Sequence, residues 1–507
     1  MDLPTWLTPL PDAAQQRALD SWAIEQHRIP GETLMERAGS ALARISAELV
    51  PEGRIVIVCG RGNNGGDGHV AARVLGQLGR ELTVIDVHAD DAAADAPSLE
   101  RALAGAAAVI DALLGTGFSG APREPVSGAI ATINAAREAN PRMRVIACDM
   151  PSGVDGSTGE ISAQAVRADA TVTFHAAKPG LWIAPGKQHS GAVHVVDIGI
   201  PAADQPLRPD VGLIAQSVIA EVPRRGADSN KFSVGSVLVV GGSRGLTGAP
   251  VLASLAAARA GAGYVTVAAP ASVAPLIAGK LLEVMTVELP DDPETGPKRG
   301  SSRMAVERAA RAQALVLGPG LGRLPAAQKF ARDVATHANL PLVLDADGLN
   351  AHAEEGGLEQ LAARNAPTVL TPHVGELGRL LERPSAEIEA HRLEYARAAA
   401  QRAQAIVVLK GDDTLVAEPG GRVAVSPGGA PALATAGTGD VLAGVTGAFL
   451  AKGVEPFTAV CAAVATHVAA GVIAAAEVGA EGVIASDVIA ALPRARERRA
   501  EQSAGEI

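Results

Sequence analysis

Cysteine is scarce in this chain, with three residues among 507, and each lies in an apolar run. A disulfide framework needs paired cysteines, and a zinc knuckle needs closely spaced Cys and His ligands. Neither pattern is present. The composition therefore excludes both kinds of small stabilised scaffold and fits the reducing environment of the cytoplasm.

Runs of basic residues are also missing until residues 494–499. Acidic residues outnumber basic ones by 55 to 44, for a net charge of −11 at pH 7. Because polyanion-binding surfaces depend on clustered Lys and Arg, we expect neither a nucleic-acid partner nor a membrane partner. The first residues show no basic segment followed by an apolar one, so we expect no signal peptide and a cytoplasmic protein.

One long apolar run, residues 458–476, is nearly long enough to cross a bilayer. It consists mostly of alanine, with glycine and His467, and is only weakly hydrophobic for a membrane span. We therefore predict a buried helix of a folded protein.

Short runs rich in Val and Ile alternate with alanine-rich stretches along the whole chain. This alternation is typical of parallel or mixed sheets covered by helices, so the fold class is α/β. Two helices are predicted first, at 12–27 and 31–49. Strands of a first block are predicted at 54–59, 81–87, 107–111, 143–149, 171–174 and 192–198.

A proline-rich stretch at 200–209 interrupts the alternation and is the best candidate for a linker. With 48% hydrophobic residues, the chain is long enough for two domains with separate cores. We predict a domain at 1–208 and another at 209–507. Strands of the second block are predicted at 236–240, 264–268, 314–317, 342–345, 368–370, 406–409 and 414–417.

The loop after the first predicted strand, Gly60 to Gly65, matches GxGxxG, and the next strand ends near Asp86. Taken alone, this spacing indicates an NAD-binding dehydrogenase. However, Asp67 follows at once, and its negative charge would oppose a pyrophosphate at the start of the helix. The loop therefore favours a Rossmann-like fold with a different ligand.

Three aspartates follow predicted strands of the first block: Asp111, Asp149 and Asp155. Because strand ends converge at one crevice in an open α/β sheet, Asn64, Asp111, Asp149 and Ser152 could meet there. Oxygen ligands of this kind suit a hard cation such as K⁺ or Mg²⁺. For each aspartate taken singly, a helix cap or turn is an equal alternative.

A glycine-rich turn near the C-terminal end, GTGDVLAG at 437–444, leads into an apolar helix. The backbone N–H groups of Gly437, Thr438 and Gly439 form an anion hole in such a turn. Asp440 then lies where it can remove a proton from a substrate hydroxyl during phosphoryl transfer. The alternative is a loop with an acidic residue in the first turn. No Walker motif and no protein-kinase signature is present.

Further loops follow predicted strands of the second block: GGS at 241–243 with GAP at 248–250, GPGLG at 318–322, TPHVGE at 371–376 and KGDDT at 410–414. Asp345 and Asp347 either hold Mg²⁺ or cap the next helix. Glu376 has the same two interpretations. His373 either contacts substrate or is structural.

The motifs GRGNNGGDG, DALLGTG and DMPSGVDGSTG, in this order, resemble the epimerase domain of the NAD(P)H-hydrate repair enzymes over about 10–200. The resemblance implies a K⁺ site at Asn64, Asp111 and Ser152, and a catalytic Asp149 that contacts the hydrated nicotinamide. Lys178 fits the family pattern without a defined role, and a surface lysine is an equal interpretation. The resemblance also implies substrate contacts from Asn63, Asn64, Gly65, Gly66, Asp67, Gly115, Thr116, Gly117, Phe118, Ser119 and Gly120.

The second block is similar to the ribokinase-like ADP/ATP-dependent NAD(P)H-hydrate dehydratases over about 211–498. It departs from the family pattern at Leu246, where an aromatic residue is expected. The resemblance implies that Mg²⁺ assists and that Asp440 is the catalytic base. It implies hydrate contacts from Ala249, Gly320, His373 and Asp440, and nucleotide contacts from Lys410, Gly411, Asp412, Asp413, Thr414 and Gly439.

Together the two resemblances imply a bifunctional repair enzyme. The first domain interconverts the R and S epimers of hydrated NADH and NADPH, NADHX and NADPHX. The second dehydrates the S epimer with ADP or ATP, and ADP is favoured for a fused chain of bacterial type. We also expect a homo-oligomer, with alanine-rich helices such as 458–476 between subunits.

Two alternatives stay open at this point. One is a ribokinase-like kinase of a small metabolite, such as a hydroxymethyl-pyrimidine or a sugar, which would leave a stable phosphorylated product. The other is a first domain that serves as a non-catalytic binding or scaffold module. The presence of Asn64, Asp111, Asp149 and Ser152 counts against a scaffold, because a scaffold needs no cation pocket.

Overall fold

The computed structural model describes residues 3–87, 96–201, 205–206, 208–353 and 356–497. The chain divides into two compact units. The first is Pro9–Gly212, and the second begins at Leu213 and includes Pro4–Thr8. This division lies beside the proline-rich stretch, of which residues 202–204 and 207 fall outside the described residues.

In its described residues, the first unit contains six parallel strands in the order β3-β2-β4-β5-β6-β7. All six predicted strands are present, within two residues at each end. In chain order the elements, after β1 (Leu7–Pro9), are α1 (Ala13–Glu25), α2 (Gly31–Leu49), β2 (Ile55–Cys59), α3 (Asn63–Gln77), β3 (Leu82–Asp86), α4 (Ala96–Leu103), β4 (Ala108–Ala112), α5 (Val126–Ala139), β5 (Arg144–Cys148), β6 (Ala170–Phe174), α6 (Lys187–Ser190) and β7 (Ala192–Val196).

Strands β2, β4 and β6 are buried along their whole length, because helices cover both faces of the sheet. One core forms on the side of α2 and α3, with Leu34 and Ala71 against the sheet. The other forms on the side of α4 and α5, with Leu99 and Ile130. The strand order reverses between β2 and β4, and ligands bind at such a switch point beyond the carboxyl ends of the strands.

Helix α1 begins with a capping box. Asp12 Oδ1 accepts a hydrogen bond from the Gln15 backbone N–H at 2.7 Å, and Gln15 Oε1 accepts one from the Asp12 N–H at 3.0 Å. These two bonds satisfy N–H groups that a helix start leaves free. They fix the start of the helix that carries Asp20.

The second unit contains one sheet in the order β1-β8-β19-β18-β17-β16-β15-β14-β9-β10-β11 and a two-stranded ribbon of β12 and β13. Pairing is parallel from β17 to β11 and antiparallel between β17, β18 and β19. The strands are β8 (Val211–Ile214), β9 (Ser236–Val240), β10 (Tyr264–Pro270), β11 (Met285–Leu289), β12 (Asp291–Asp292), β13 (Gly296–Pro297), β14 (Ala314–Leu317), β15 (Leu342–Leu344), β16 (Thr368–Leu370), β17 (Ile406–Leu409), β18 (Leu415–Ala417) and β19 (Val423–Val425).

Twelve α-helices are found in the described part of this unit, together with short 3₁₀ turns. They are α7 (Gly248–Arg259), α8 (Ala274–Ala278), α9 (Ser301–Ala309), α10 (Pro325–His337), α11 (Asp347–Asn350), α12 (Gly357–Ala362), α13 (Val374–Leu381), α14 (Ser385–Ala390), α15 (Arg392–Ala403), α16 (Thr438–Ala451), α17 (Pro456–Val478) and α18 (Ala485–Glu497).

All seven strands predicted for the second block are present, but six strands escaped prediction: β1, β8, β11, β12, β13 and β19. They are short or lie towards the sheet edges, where the pattern of apolar residues is weak. Helix α17 contains the long apolar run. By length and composition alone it could cross a membrane. However, 72% of its most apolar 18-residue segment is buried inside the protein, which confirms the prediction of a buried helix.

Candidate active sites

The loop between β2 and α3 depends on glycines that let backbones approach each other closely. A Cβ on Gly65 would lie 1.9 Å from the carbonyl oxygen of Gly60. A Cβ on Gly60 would lie 2.1 Å from the carbonyl oxygen of Leu113. No side chain fits at such distances. The close approach buries Asn64 and leaves Asn63 exposed at the start of the helix.

Asp149 follows β5 in the left-handed region, with φ of 65°. Its Oδ1 accepts hydrogen bonds from Lys178 Nζ at 2.7 Å and Thr173 Oγ1 at 3.1 Å. Its Oδ2 accepts from the backbone N–H of Thr116 at 3.0 Å and from Thr116 Oγ1 at 2.6 Å. Burial alone would raise the pKa of Asp149, but the charge and hydrogen bond of Lys178 outweigh it, so the pKa lies below its ordinary value.

Lys178 is not a surface lysine: its side chain is 1% exposed. Besides Asp149, its ammonium group donates to Thr173 Oγ1 at 2.8 Å and to the carbonyl of Phe174 at 3.1 Å. These bonds use all three of its donors. The interpretation of Lys178 as a solvated residue is therefore wrong, and the residue is the counter-charge of Asp149.

Asp111 and Ser152 form a buried pair. Ser152 Oγ donates to Asp111 Oδ1 at 2.6 Å, and the Ser152 backbone N–H donates to Oδ2 at 2.8 Å. Burial raises the pKa of Asp111 to about 6 despite these bonds. Ser152 Oγ also accepts from the backbone N–H of Leu114 at 2.9 Å, which ties the pair to the loop after β4.

The same loop brings Asn64 and Asp149 together. A Cβ on Gly115 would lie 2.9 Å from Asn64 Oδ1 and 3.2 Å from Asp149 Oδ2. The buried Asn64 Nδ2 has no hydrogen-bond partner among the residues that the structure describes.

Asp155 accepts a hydrogen bond from the Ser157 N–H within its own turn, at 2.8 Å. Of its two interpretations, the turn-forming one therefore applies to Asp155.

Asp86, which matched a ribose-binding acid in the GxGxxG interpretation, faces a side chain of α3. Its Oδ1 lies 2.8 Å from Nε2 of His69. Asp67 is buried on the same helix. These placements agree with the prediction that the loop after β2 does not bind a dinucleotide in the usual way.

Sequence motifs did not identify Asp20 or Thr173. Asp20 lies on α1, near enough to Asp149 and Lys178 for their charges to act on it, and burial raises its pKa. Neither residue lies in a glycine-rich turn. Only the packing of α1 and β6 brings them to the site.

In the second unit, α16 begins at Thr438 directly after Gly437, which has φ of 89°. The first backbone N–H groups of a helix have no acceptor within the helix and point out of its end. A Cβ on Gly439 would lie 3.4 Å from Lys410 Nζ, so the ammonium group of Lys410 lies beside this turn. Burial and then the charge of Asp345 raise the pKa of Asp440 to about 7.

An acidic cluster surrounds Lys410. Asp345 Oδ1 accepts from Lys410 Nζ at 3.1 Å and from Thr371 Oγ1 at 2.7 Å. Glu376 Oε2 lies 3.7 Å from the same Nζ. Burial opposes the charge of Lys410, but Asp345 and Glu376 raise its pKa above the ordinary value, so this lysine is charged.

Glu376 is part of a helix cap, as one of its two interpretations predicts, while its place in a metal site stays a prediction. It accepts from the His373 backbone N–H at 2.9 Å, and His373 Nδ1 accepts from the Gly375 N–H at 2.9 Å, which makes a capping box at the start of α13. Its carboxylate also faces Lys410. The side chain of His373 is 55% exposed.

Asp347 connects two loops. Its Oδ2 accepts from the backbone N–H of Gly322 at 2.9 Å, which joins the start of α11 to the GPGLG loop. In the latter loop, a Cβ on Gly320 would lie 3.3 Å from Cβ of Ala249 and 3.2 Å from that of Leu246. Ala249 and Gly320, two of the four residues predicted to contact hydrate, are therefore neighbours.

A cavity of about 260 Å³ opens beside Lys410 and the start of α16. Its wall includes five of the six residues predicted to bind nucleotide: Lys410, Gly411, Asp412, Thr414 and Gly439. Apolar residues, including Leu433, Leu442 and Val464, form the remainder together with His467. Burial lowers the pKa of His467 to about 4, so its ring is neutral at neutral pH.

Asp413 is the member of KGDDT that does not line this cavity. Its carboxylate instead binds Arg392, at the start of α15, with Nε donating to Oδ2 at 2.9 Å. Both side chains are almost fully buried. Arg392 lies outside every sequence motif, so its role was not predicted.

A mostly parallel sheet whose loops bring a GTGD turn and Lys410 to one cavity, with the Asp440 carboxyl group beside them, defines a ribokinase-like phosphoryl-transfer unit. A Rossmann-like unit precedes it in the chain. Residues 237–494 match the family described as NAD(P)H-hydrate dehydratase, and residues 31–104 and 85–180 match the family described as YjeF-related protein N-terminus. The chain belongs to the bifunctional NAD(P)H-hydrate repair enzymes.

Similarity to curated relatives extends along nearly the whole chain. The bifunctional NAD(P)H-hydrate repair enzyme Nnr of Salinibacter ruber is 38% identical over 97% of this chain and 96% of its own length. The Escherichia coli enzyme of the same description is 34% identical over 91% and 88%. A crystal structure of ADP/ATP-dependent NAD(P)H-hydrate dehydratase from Bacillus subtilis, co-crystallized with ATP/Mg²⁺, is 32% identical, with a TM-score of 0.48, over 56% of this chain and 98% of that chain.

Proposed function

We propose that this chain interconverts the R and S epimers of hydrated NADH and NADPH and dehydrates the S epimer at the expense of ADP or ATP. Residues 1–208 carry the epimerase and residues 209–507 carry the dehydratase. The observation that carries the proposal is the Asp440 carboxyl group at a helix start, beside Lys410 and a cavity, in a chain that also contains the Asp149 site.

Dehydration needs a better leaving group than hydroxide. Asp440 removes the proton of the ring hydroxyl while the phosphoryl group moves to that oxygen, and the N–H groups at Gly437–Gly439 stabilise the charge that develops. Phosphate then leaves as the ring nitrogen supplies electrons. A carboxyl group with a pKa of about 7 is suited to this step, because it is partly ionised at neutral pH and basic enough to accept the proton.

The substrates are held by the loops already described. Ala249, Gly320 and His373 contact the hydrate. Lys410, with Gly411, Asp412 and Thr414, binds the nucleotide phosphates along the cavity wall, while Asp413 fixes the loop through Arg392.

The donor sets fit two cations. Asp345 and Glu376 are carboxylates near Lys410, and Asp347 acts with them on Asp440; the three would hold Mg²⁺, which neutralises phosphate charge when bound. In the first unit, Asn64, Asp111 and Ser152 are oxygen donors that suit K⁺. The unpartnered amide of Asn64 supports that assignment, since its oxygen and nitrogen positions are interchangeable.

In the first unit, Asn63–Asp67 and Gly115–Gly120 form the walls around the nicotinamide ring, and Asp149 faces it as a fixed anion. The enzyme acts in the cytoplasm, in keeping with its three free, buried cysteines. Exposed apolar residues on α17, Val472 and Val478, support a homo-oligomer.

The test is recovery of the near-ultraviolet absorbance of reduced nicotinamide from mixed hydrate epimers, with Mg²⁺, K⁺ and either ADP or ATP. Wild type should restore all of it. Asp149→Ala should restore only the S fraction quickly, provided that spontaneous epimerisation is slower than the assay, and Asp440→Asn should restore none. No recovery with either nucleotide, or a stable phosphorylated product from another metabolite, would favour the kinase alternative.

A further inference from the structure

The Asp149 carboxylate is a poor proton acceptor in this structure. Each of its oxygens accepts two hydrogen bonds, from Lys178 and Thr173 on one side and from Thr116 on the other. Donors to the charged form stabilise that form, and a base must give some of them up to take a proton. Asp149 is therefore suited to remain an anion throughout a reaction.

Asp67 has the opposite environment. It is 8% exposed, and no hydrogen-bond donor reaches its carboxyl group within the described chain. It lies on the second turn of α3, three residues after Asn64, and the charges of Asp149, Asp20 and Lys178 act on it. Its carboxyl group is thus free to exchange a proton with a ligand in the crevice.

The carboxyl groups of this cluster outnumber its cationic side chains. Three carboxyl groups, Asp20 from α1, Asp67 from α3 and Asp149 after β5, share the single ammonium group of Lys178 after β6. Burial, then Asp149 and Asp20, raise the pKa of Asp67 to about 8. Cys148 also faces Asp67, and burial keeps its thiol neutral by raising its pKa well above the usual range. Among these carboxyl groups, Asp67 is therefore the one whose environment most favours the protonated form at neutral pH.

We propose that Asp67 is the acid–base group of the epimerase site, and that Asp149, fixed by Lys178 and Thr116, is the anion that stabilises positive charge on the substrate ring. This inference rests on the proposed epimerase function and divides its catalytic work between two aspartates. It resembles other sites in which one carboxyl group is kept protonated and its neighbour ionised.

The steps balance without a further reagent. As the C–O bond of the hydrate breaks, its electron pair stays on oxygen, which takes the proton of Asp67 and leaves as water. The lone pair of the ring nitrogen forms a C=N bond, and the resulting cation faces the Asp149 carboxylate. Water then adds to the other face of this planar carbon, the C=N pair returns to nitrogen, and the released proton returns through water to the Asp67 carboxylate.

The experiment uses the full-length chain and purified R epimer without nucleotide, so that the dehydratase is idle, and follows the S epimer by chromatography. Asp67→Asn should lower kcat by about 100-fold to 10,000-fold with a smaller change in KM. Asp67→Glu, which keeps an acid, should retain more activity than Asp67→Asn. Thermal unfolding of each variant tests whether the fold is kept.

The pH profile separates an acid from a base. Wild-type kcat should fall as pH rises through about 8, where Asp67 loses its proton. Asp149→Asn should move this fall to lower pH, because one anion fewer acts on Asp67 and Lys178 is left without its partner. Asp67→Asn should show no such fall.

Two results would overturn the inference while leaving the proposed function intact. One is an Asp67→Asn variant that epimerises within threefold of wild type, and the other is a wild-type rate that does not fall near pH 8. If Asp67→Asn fails to fold, the wild-type profile and Asp67→Glu decide. Failure of wild type itself to interconvert the epimers would instead refute the proposed function.

Discussion

The guanidinium group of Arg392 binds both carboxylate oxygens of Asp413, with Nε donating to Oδ2 at 2.9 Å and Nη2 lying 2.9 Å from Oδ1. Nη2 also donates to the carbonyl of Lys410 at 3.3 Å. A planar fork of this kind fixes direction as well as distance. The pair therefore holds the KGDDT loop from behind, so that its other residues face the cavity.

Removal of this arginine should destabilise the second unit. Arg392→Met removes the two-point partner of the buried Asp413 carboxylate, at a cost of about 3–5 kcal/mol in the free energy of unfolding. The matched control is Arg402→Met on the same helix, whose pair with Glu359 is half exposed and contributes about 0–1 kcal/mol. Calorimetry of the full chain measures both. Equal losses in the two variants would contradict this assignment.

Lys178→Met should destabilise the first unit most at neutral pH. The pKa of Asp149 is lowered in the folded state, so its ionic contribution is present above the unfolded value of about 3.9 and is lost as pH falls through the lower folded value. The difference in unfolding temperature between variant and wild type should therefore narrow under acidic conditions. A gap independent of pH would show that Lys178 contributes packing alone.

Asp440→Asn should reduce dehydration of purified S epimer by about 100-fold to 10,000-fold. In wild type the rate should decline on the acidic side, at or below about pH 7, because burial and Asp345 raise the pKa of Asp440 and the protonated form cannot act as a base. Bound Mg²⁺ would lower the pKa of Asp440 and so move this decline in rate to lower pH. Asp333→Asn is the control: Asp333 lies on α10, is partly exposed and pairs with Lys329, so this variant should keep the wild-type rate. A wild-type rate that stays constant down to pH 5 would argue against Asp440 as the base.

Two glycines of α3 should respond oppositely to alanine. Gly65→Ala forces a methyl group to within 1.9 Å of the Gly60 carbonyl oxygen, so the loop must move and epimerase activity should be lost. At Gly76 the nearest atom is a methyl group of Leu82 at 3.8 Å, and alanine should stabilise the helix by about 0.5–1 kcal/mol. Thermal unfolding and R-epimer conversion distinguish the two. Unchanged epimerisation by Gly65→Ala would show that the loop tolerates the shift.

Much of the fold was accessible from the sequence because its signals are local. Buried strands such as β2 and β9 are continuous apolar runs, and glycine-rich turns mark where strands give way to helices. Edge strands such as β11 escaped prediction, because partly exposed residues interrupt the apolar pattern that identifies a strand.

The candidate sites divide in the same way. The motifs identified Asp149, Asp440 and Lys410, since glycine turns and acidic residues after strands are visible in the sequence. The partners of these residues are not visible, because Lys178 lies 29 positions from Asp149, and Arg392 lies 21 positions from Asp413. Contacts across such separations form only when the sheet brings strand ends together.

The sequence by itself therefore determined the α/β class, the positions of most strands along the chain and the chemical groups available at each turn. Only the tertiary structure decided how readily each carboxyl group ionises. Asp67 and Asp149 are both aspartates beside glycine-rich loops, but one is buried without a donor and the other is held by an ammonium group and two threonines. Proton affinity depends on desolvation and neighbouring charge, and both arise from packing.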